Sequence, residues 1–255
     1  MQDRYLGDIG DFAKFGLLRE LMASGAAKRL GVLWYLVPDE SHTNDGRHIS
    51  YLEESPGNHE RFRRCDPSLY DTLGGLVRGG TRCVSAIGRS GLLPPGTLFH
   101  NQALSYRGVR KADRKAHRGE WLTVASKLSE STDLVFLDPD NGLEVGVDRH
   151  AAKGPKYTYY DDLDALNGED RTLIVYQHAN RHGSMLEQIQ GRLGDLQRRL
   201  GRPAESLFAL RWRRISPRAF LVASASGHRK TLRARAQSML NGSWGAHFEM
   251  IDYPE

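Results

Sequence analysis

Cysteine is scarce in this chain of 255 residues, which contains only Cys65 and Cys83. Their isolated positions match no metal-ligand spacing and no disulfide framework, so we expect two free thiols in a reducing compartment. No apolar run approaches the roughly 18 residues of a membrane-spanning helix, and the first residues do not resemble a signal peptide. Internal repeats and low-complexity segments are also missing. The sequence therefore predicts a cytoplasmic globular protein with no membrane partner.

The composition indicates a packed core and an anionic partner. Hydrophobic residues make up 39% of the chain and charged residues 26%, which favours a folded globule over disorder. No shift in composition marks a boundary, so one domain over residues 1–255 is the simplest prediction. The formal net charge is +5. Such an excess favours nucleic acid as the partner, although enzymes that bind small phosphorylated ligands have the same signature.

Apolar runs of strand length alternate along the chain with segments of helical periodicity. This alternation predicts an α/β fold with a mostly parallel, doubly wound sheet. The last two strands are joined by a short link, so we expect them to form an antiparallel edge. Helices are predicted over residues 11–22, 68–77, 120–128, 184–200 and 230–240, and strands over 30–37, 134–137, 172–176, 207–212 and 219–223. Residues 98–100 and 103–106 are predicted to form one further strand or two short ones.

The most informative stretch runs from residue 134 to residue 144 (LVFLDPDNGLE). Its four leading apolar residues do not alternate with polar ones, which is typical of a strand buried on both faces. Pro139 cannot donate to a strand ladder and Gly142 permits positive φ, so the strand ends here and the chain turns. Open α/β sheets bind ligands at the carboxyl ends of their strands. We therefore expect Asp138, Asp140 and Asn141 to belong to a site rather than to an ordinary solvated turn.

The order of elements resembles that of the ribosomal-RNA adenine-amino methyltransferases, which have a Rossmann-like fold that binds S-adenosylmethionine. Segment 7–14 (GDIGDFAK) looks like the N-terminal cofactor motif of that family, and residues 137–140 (LDPD) stand where it has its Asp-Pro-Pro-Tyr catalytic motif. The resemblance implies that Asp138 positions an acceptor amine and that the acidic loop after the first strand contacts the cofactor. The cofactor contacts predicted in this way are Asp8, Asp11, Lys14, Asp39, Asn44 and Asp45.

The chain differs from the family pattern at two places. Segment 38–47 (PDESHTNDGR), after the first strand, contains a single glycine, and Asp140-Asn141 replaces Pro-Tyr in the catalytic motif. Asp138 and Asp140 could instead hold Mg²⁺ or Mn²⁺ in a nuclease, nucleotidyltransferase or glycosyltransferase. A third possibility is a relative that binds nucleic acid or nucleotide without catalysis.

Further polar residues follow the strands at the same predicted sheet edge. His178 follows the strand that ends at Tyr176 and is a candidate for acid–base work, because its usual pKa lies near neutrality. The remaining candidates are basic or imidazole groups that could hold an anionic substrate. They are Arg47, His48, Arg181 and His182.

Two basic segments favour nucleic-acid binding. The run 107–118 (RGVRKADRKAHR) is the densest, and from it we select Arg110 and Arg114 as phosphate contacts. Segment 211–214 (RWRR) adds an aromatic ring that could stack on a base. The leading hypothesis is therefore methyl transfer to a nucleic-acid base, with Asp138, Asp140, Asn141 and His178 as the catalytic group.

Overall fold

The computed structural model describes residues 1–40, 46–179 and 183–253. Within these ranges the helices are α1 (Ile9–Met22), α2 (Pro56–Asn58), α3 (Pro67–Arg78), α4 (Val84–Ser90), α5 (Arg114–Ser129), α6 (Tyr160–Leu166), α7 (Met185–Leu200) and α8 (Arg229–Asn241). The strands are β1 (Leu30–Trp34), β2 (Leu98–His100), β3 (Leu134–Asp138), β4 (Gly142–Leu143), β5 (Tyr157–Thr158), β6 (Thr172–His178), β7 (Leu207–Trp212), β8 (Arg218–Ala223) and β9 (Phe248–Asp252).

Seven strands form the main sheet in the order β2-β1-β3-β6-β8-β7-β9, and β4 pairs with β5 in a separate small sheet. The ladders from β2 through β6 are parallel. Strand β8 is antiparallel to both of its neighbours, β6 and β7, so β7 points the same way as the parallel strands. The predicted α/β class with a mostly parallel sheet is confirmed.

Helices cover both faces of the sheet, because alternate residues of each central strand point into two separate apolar layers. In β3, Phe136 packs into the layer that contains α1, α3, α4 and α8. The neighbouring Val135 and Leu137 pack into the layer that contains α5, α6 and α7. This arrangement explains the absence of polar alternation in the run 134–137: both faces are buried.

The C-terminal side of the sheet is antiparallel, as predicted, but its strands are arranged differently. The predicted pair β7–β8 forms a hairpin, yet β8 lies inside the sheet against β6. The edge strand is β9, which pairs with β7 and was not predicted. Its sequence, FEMID, mixes charged and apolar residues, and only Phe248 and Ile251 are buried. An edge strand of this kind has no long apolar run to reveal it.

Two side chains of the predicted nucleic-acid segments are part of the protein interior. Trp212 is fully buried and stacks on the ring of His247, with 5.2 Å between ring centroids. The prediction that the Trp212 ring stacks on a base is therefore wrong. Arg118 is also buried and forms an ion pair with Asp162, so it is not part of a solvated basic face.

Across the described residues, no helix combines the length and apolar character needed to cross a membrane.

Candidate functional site

A cavity of about 520 Å³ lies at the carboxyl edge of the parallel strands, bordered by the N-terminal end of α1 and by the turns that follow β3 and β6. Eight of the sequence-predicted site residues line it. They are Asp8, Asp11, Lys14, His48, Asp138, Asp140, Asn141 and His178. The site therefore combines the N-terminal motif with the turn after β3, as the sequence predicts.

Helix α1 brings a buried cation to this edge of the sheet. Asp8 is its N-cap, and its side chain accepts a hydrogen bond from the Gly10 backbone nitrogen. Most of the helix is buried, including the charged Asp11 and Lys14. The Lys14 Nζ donates to Asp11 Oδ1 at 2.9 Å and to Asp138 Oδ2 at 2.8 Å. Lys14 thereby connects the N-terminal motif to the end of β3.

The environment of Lys14 keeps it protonated. Burial alone would lower its pKa, but the adjacent negative charges of Asp11 and Asp138 outweigh burial and raise the pKa above its usual value. Two aromatic rings of the sheet add cation–π contacts, since Nζ lies 5.3 Å from the ring centroid of Trp34 and 5.6 Å from that of Tyr176. The ammonium group is held from several sides.

Asp140 has a separate set of partners. Its Oδ2 accepts a hydrogen bond from Gln2 Nε2 at 3.0 Å and lies 3.3 Å from Lys156 Nζ. Its Oδ1 lies 3.4 Å from the Met1 nitrogen and accepts no hydrogen bond from a described residue. Burial opposes ionisation of this carboxyl, but the positive charges of Met1 and Lys156 outweigh burial and lower its pKa.

Asp8 connects the N-terminus of α1 to the segment around His48 and to strand β8. Its Oδ2 accepts a hydrogen bond from the His48 backbone nitrogen at 3.1 Å. Its Oδ1 lies 3.7 Å from Nη1 of Arg218, the first residue of β8. The Arg218 guanidinium also lies over the Tyr176 ring, 5.9 Å from its centroid. The N-terminus of α1 is therefore attached to the antiparallel part of the sheet.

The turn after β3 is fixed on both sides. The Asn141 backbone nitrogen donates to the Lys156 carbonyl at 2.9 Å, and Gln177 Oε1 accepts from the Leu143 nitrogen at 2.9 Å. Gly142 has φ of 113°, and a Cβ there would overlap the Gln177 side chain. Only glycine satisfies both conditions, so the prediction that the chain turns at Gly142 is confirmed.

His178 ends β6 beside Tyr176, whose hydroxyl lies 2.9 Å from His178 Nε2. Burial raises the pKa of Tyr176, although the nearby Arg218 and Lys14 charges oppose the shift. The tyrosine hydroxyl therefore stays protonated at neutral pH, and it can donate to Nε2 or accept from it, according to the tautomer of the histidine ring. This hydrogen bond orients an imidazole at the wall of the cavity.

Other predicted site residues do not line the cavity. Arg110 is exposed and pairs with Asp113, while Arg114 donates to the carbonyls of Val109 and His150. Asp39 accepts a weak hydrogen bond from the Arg4 nitrogen at 3.3 Å, and the exposed Arg47 is not among the lining residues. Asn44, Asp45, Arg181 and His182 lie outside the described residues.

Sequence reasoning did not select several of the lining residues, among them Glu40, Lys156, Tyr176 and Arg218. Lys156 pairs with Glu40 at 2.6 Å as well as with Asp140, so these two loops meet over the turn after β3. Tyr176 and Arg218 occupy the ends of two neighbouring strands. The strand ends were recognisable from the sequence, but the pairing of β6 with β8 was not.

The charged groups that line the cavity are five carboxylates, three side-chain cations and the Met1 ammonium group. The lining therefore has an excess of negative charge, although the protein as a whole is basic. No group of three His, Cys, Asp or Glu side chains within the described ranges converges as a metal site requires. The arrangement suits a ligand that carries positive charge or donates hydrogen bonds better than it suits a phosphate.

In comparisons with protein-family models, curated proteins and solved structures, none matched this chain.

Proposed function

We propose that this protein binds S-adenosylmethionine in the cavity at the carboxyl edge of the sheet and methylates an amino nitrogen of a nucleic-acid base. The proposal depends mainly on one observation: Asp138, at the end of β3, opens into the same cavity as the α1 motif and is paired to that motif through Lys14. These are the two segments in which the sequence resembles the adenine-amino methyltransferases.

The cavity fits this cofactor in size and charge. A volume of about 520 Å³ lies within the usual range for small-ligand pockets. The cofactor carries a sulfonium and an ammonium group against one carboxylate, and the small excess of negative charge in the lining favours this net positive charge. Asp140, whose pKa is lowered by the adjacent positive charges, adds a fixed negative charge to this lining. When bound, the cofactor supplies an activated methyl group.

The residues of the chain would then orient the acceptor. Lys14 holds Oδ2 of Asp138 in place, and Oδ1 of the same carboxylate accepts a hydrogen bond from the amine. Asn141 follows Asp138 by three residues in the same turn, and its side-chain amide can form hydrogen bonds with the edge of the base. In the tautomer whose Nε2–H donates to the Tyr176 hydroxyl, Nδ1 of His178 accepts the proton that the amine releases. Orientation of this kind contributes up to about 7–11 kcal/mol to catalysis in favourable cases.

The metal-dependent alternative has weaker support from the geometry. Divalent cations prefer several oxygen ligands, whereas the described carboxylates at this edge already pair with ammonium groups. Lys14 forms an ion pair with Asp138, and Lys156 forms one with Asp140. A cation such as Mg²⁺ would have to displace these partners. The net positive charge of the protein supports nucleic acid as the acceptor.

Isothermal titration calorimetry with S-adenosylmethionine tests the cofactor part of the proposal, and transfer of a labelled methyl group to total RNA or DNA tests the reaction. We expect binding by the wild type, weaker binding by Asp140→Asn, and loss of transfer with retained binding in Asp138→Asn. Asp113→Asn, in an exposed pair with Arg110, is the matched control and behaves as wild type. No heat with the cofactor, together with Mg²⁺- or Mn²⁺-dependent cleavage of nucleic acid, would refute the proposal.

A further inference from the structure

We propose that the turn between β7 and β8, residues 213–217, inserts Ile215 into a base stack and so separates the acceptor base from its neighbours. This inference rests on the proposed function and adds to it how a base inside a folded nucleic acid reaches the cavity. Enzymes that modify bases must take the target out of the stack, and apolar side chains wedged between base steps are one way to do so.

Ile215 has an unusual backbone conformation. Its φ is 60°, and it is the single non-glycine residue with positive φ among those that the structure describes. For a β-branched side chain this region is strongly disfavoured, because Cβ crowds the following carbonyl. Strain of this kind is found mainly where it has a function.

The same residue is also exposed. Its relative accessibility is 57%, the highest of the large hydrophobic residues found exposed in the described part of the chain. A folding role would bury an isoleucine, because burial of such a side chain contributes most of its stabilisation. An exposed, strained isoleucine therefore combines two costs for the isolated protein and is better explained by a partner.

The turn lies at the mouth of the cavity. Strand β8 is antiparallel, so its first residue pairs with the last residue of β6: Arg218 lies opposite His178. Arg218 Nε donates to the Ser216 carbonyl at 3.0 Å, and both residues line the cavity. One residue thus connects the turn directly to Asp8 in the proposed cofactor site. A base freed at Ile215 has the cavity next to it.

The residues before Ile215 supply positive charge. Nη2 of Arg213 donates to the Gly245 carbonyl at 2.6 Å, and Nη2 of Arg214 donates to the Ala246 carbonyl at 3.0 Å. Arg214 forms no ion pair with a described residue, and Arg213 approaches Glu249 only at 4.0 Å. Their charges are therefore positioned by neutral carbonyls and remain available to phosphates. Ile215 can therefore contact stacked bases while the neighbouring Arg213 and Arg214 contact the phosphate backbone.

A fluorescence experiment tests the wedge. The probe is an RNA hairpin with 2-aminopurine in its stem, because the fluorescence of this base rises when it leaves the stack. We expect the wild type to raise the fluorescence and Ile215→Asn to bind the hairpin without raising it. Asparagine tolerates the left-handed conformation, so this variant keeps the turn. Ile215→Leu retains an apolar wedge and is expected to preserve the signal.

Val124→Asn is the matched control, since Val124 is 50% exposed on α5 and is not a lining residue of the cavity. A fluorescence rise with Ile215→Asn equal to that of the wild type overturns the wedge, and so does wild-type protein that leaves the fluorescence unchanged. The experiment involves no methyl transfer, so it can fail while calorimetry still supports cofactor binding.

Methyl transfer provides a second readout. Heat-denatured nucleic acid needs no unstacking, whereas native nucleic acid does. We expect Ile215→Asn to lower the ratio of transfer on native to transfer on denatured acceptor by about tenfold or more, since unstacking a base step is costly. An unchanged ratio contradicts the role of Ile215, even where total transfer falls.

Discussion

The Nζ of Lys14 lies 2.8 Å from Oδ2 of Asp138, although the two residues are 124 positions apart in the chain. Both side chains are almost fully buried. Two buried charges are tolerated only when each has a partner, so helix α1 and strand β3 depend on each other at this point. The pair also fixes the carboxylate that we propose as the acceptor-binding group.

Removal of the Lys14 charge should destabilise the protein strongly. Lys14→Met leaves Asp11 and Asp138 buried without their cation, and we expect a loss of about 3–5 kcal/mol in the free energy of unfolding. Urea denaturation measures this loss. Arg63→Met is the control, because its pair with Asp71 is exposed and screened by solvent, so we expect little change in stability. Similar losses in the two variants would contradict the special role of Lys14.

Alanine substitutions at two glycines of α1 should distinguish an effect on ligand binding from an effect on stability. A Cβ at Gly10 would overlap the Arg218 guanidinium, which is the end of a flexible side chain at the cavity. Gly10→Ala should therefore displace Arg218 and weaken binding of S-adenosylmethionine by about tenfold, which corresponds to about 1.4 kcal/mol. Calorimetry measures the affinity.

Gly16→Ala is the matched control for that variant. Its Cβ would overlap the rigid ring of Trp244, away from the cavity. We expect overpacking to cost about 1–3 kcal/mol of stability, with no change in affinity. A loss of affinity in Gly16→Ala equal to that in Gly10→Ala would show that the effect is a general loosening of α1.

Asp140 should contribute a pH-dependent part of the stability. Its pKa in the folded protein is lowered below the usual value of 3.8, because the Met1 and Lys156 charges outweigh the effect of burial. A carboxyl with a lowered pKa stabilises the fold above its unfolded pKa, and this stabilisation disappears as the pH falls through the folded pKa.

The difference in free energy of unfolding between wild type and Asp140→Asn should therefore be largest near neutral pH and should shrink below pH 3.8. Urea denaturation over an acid series measures it. Asp113→Asn, a change at the protein surface, should follow the wild-type curve. A difference that is constant over the series would mean that the charge of Asp140 does not stabilise the fold.

Relief of the strain at Ile215 should stabilise the isolated protein. A left-handed conformation costs roughly 1–2 kcal/mol for most residues and less for asparagine. We expect Ile215→Asn to raise the free energy of unfolding by up to about 1 kcal/mol, visible as a higher melting temperature. Val124→Asn relieves no strain and should not raise it. A lower melting temperature for Ile215→Asn would indicate that the isoleucine stabilises the turn.

The parts of the site that depend on local sequence were predictable. Pro139 and Gly142 mark the turn after β3, and Asp8 is recognisable as a candidate helix cap. Lys14 and Asp11 gave a further signal, because charged residues in a mostly apolar helix need partners at its buried face. These features involve only neighbouring residues, so the sequence contains the information that determines them.

The rest depends on contacts between distant segments. Lys156 reaches Asp140 from a loop that the sequence shows only as polar, and Arg218 reaches Asp8 because β8 lies against β6. The arginines that flank Trp212 in the sequence favour a surface ring, although both faces of its strand are covered in the structure. Neighbouring residues do not determine which strand pairs with which.

The position of β8 between β6 and β7 has a consequence for synthesis of the chain. When β6 has left the ribosome, the strand that will cover its free edge has not yet been made, so its backbone groups stay open to foreign strands. The β7–β8 hairpin closes that edge and, in the same event, delivers Arg218 to Asp8. A nascent chain that stops before residue 218 thus has neither a protected sheet nor a complete binding pocket.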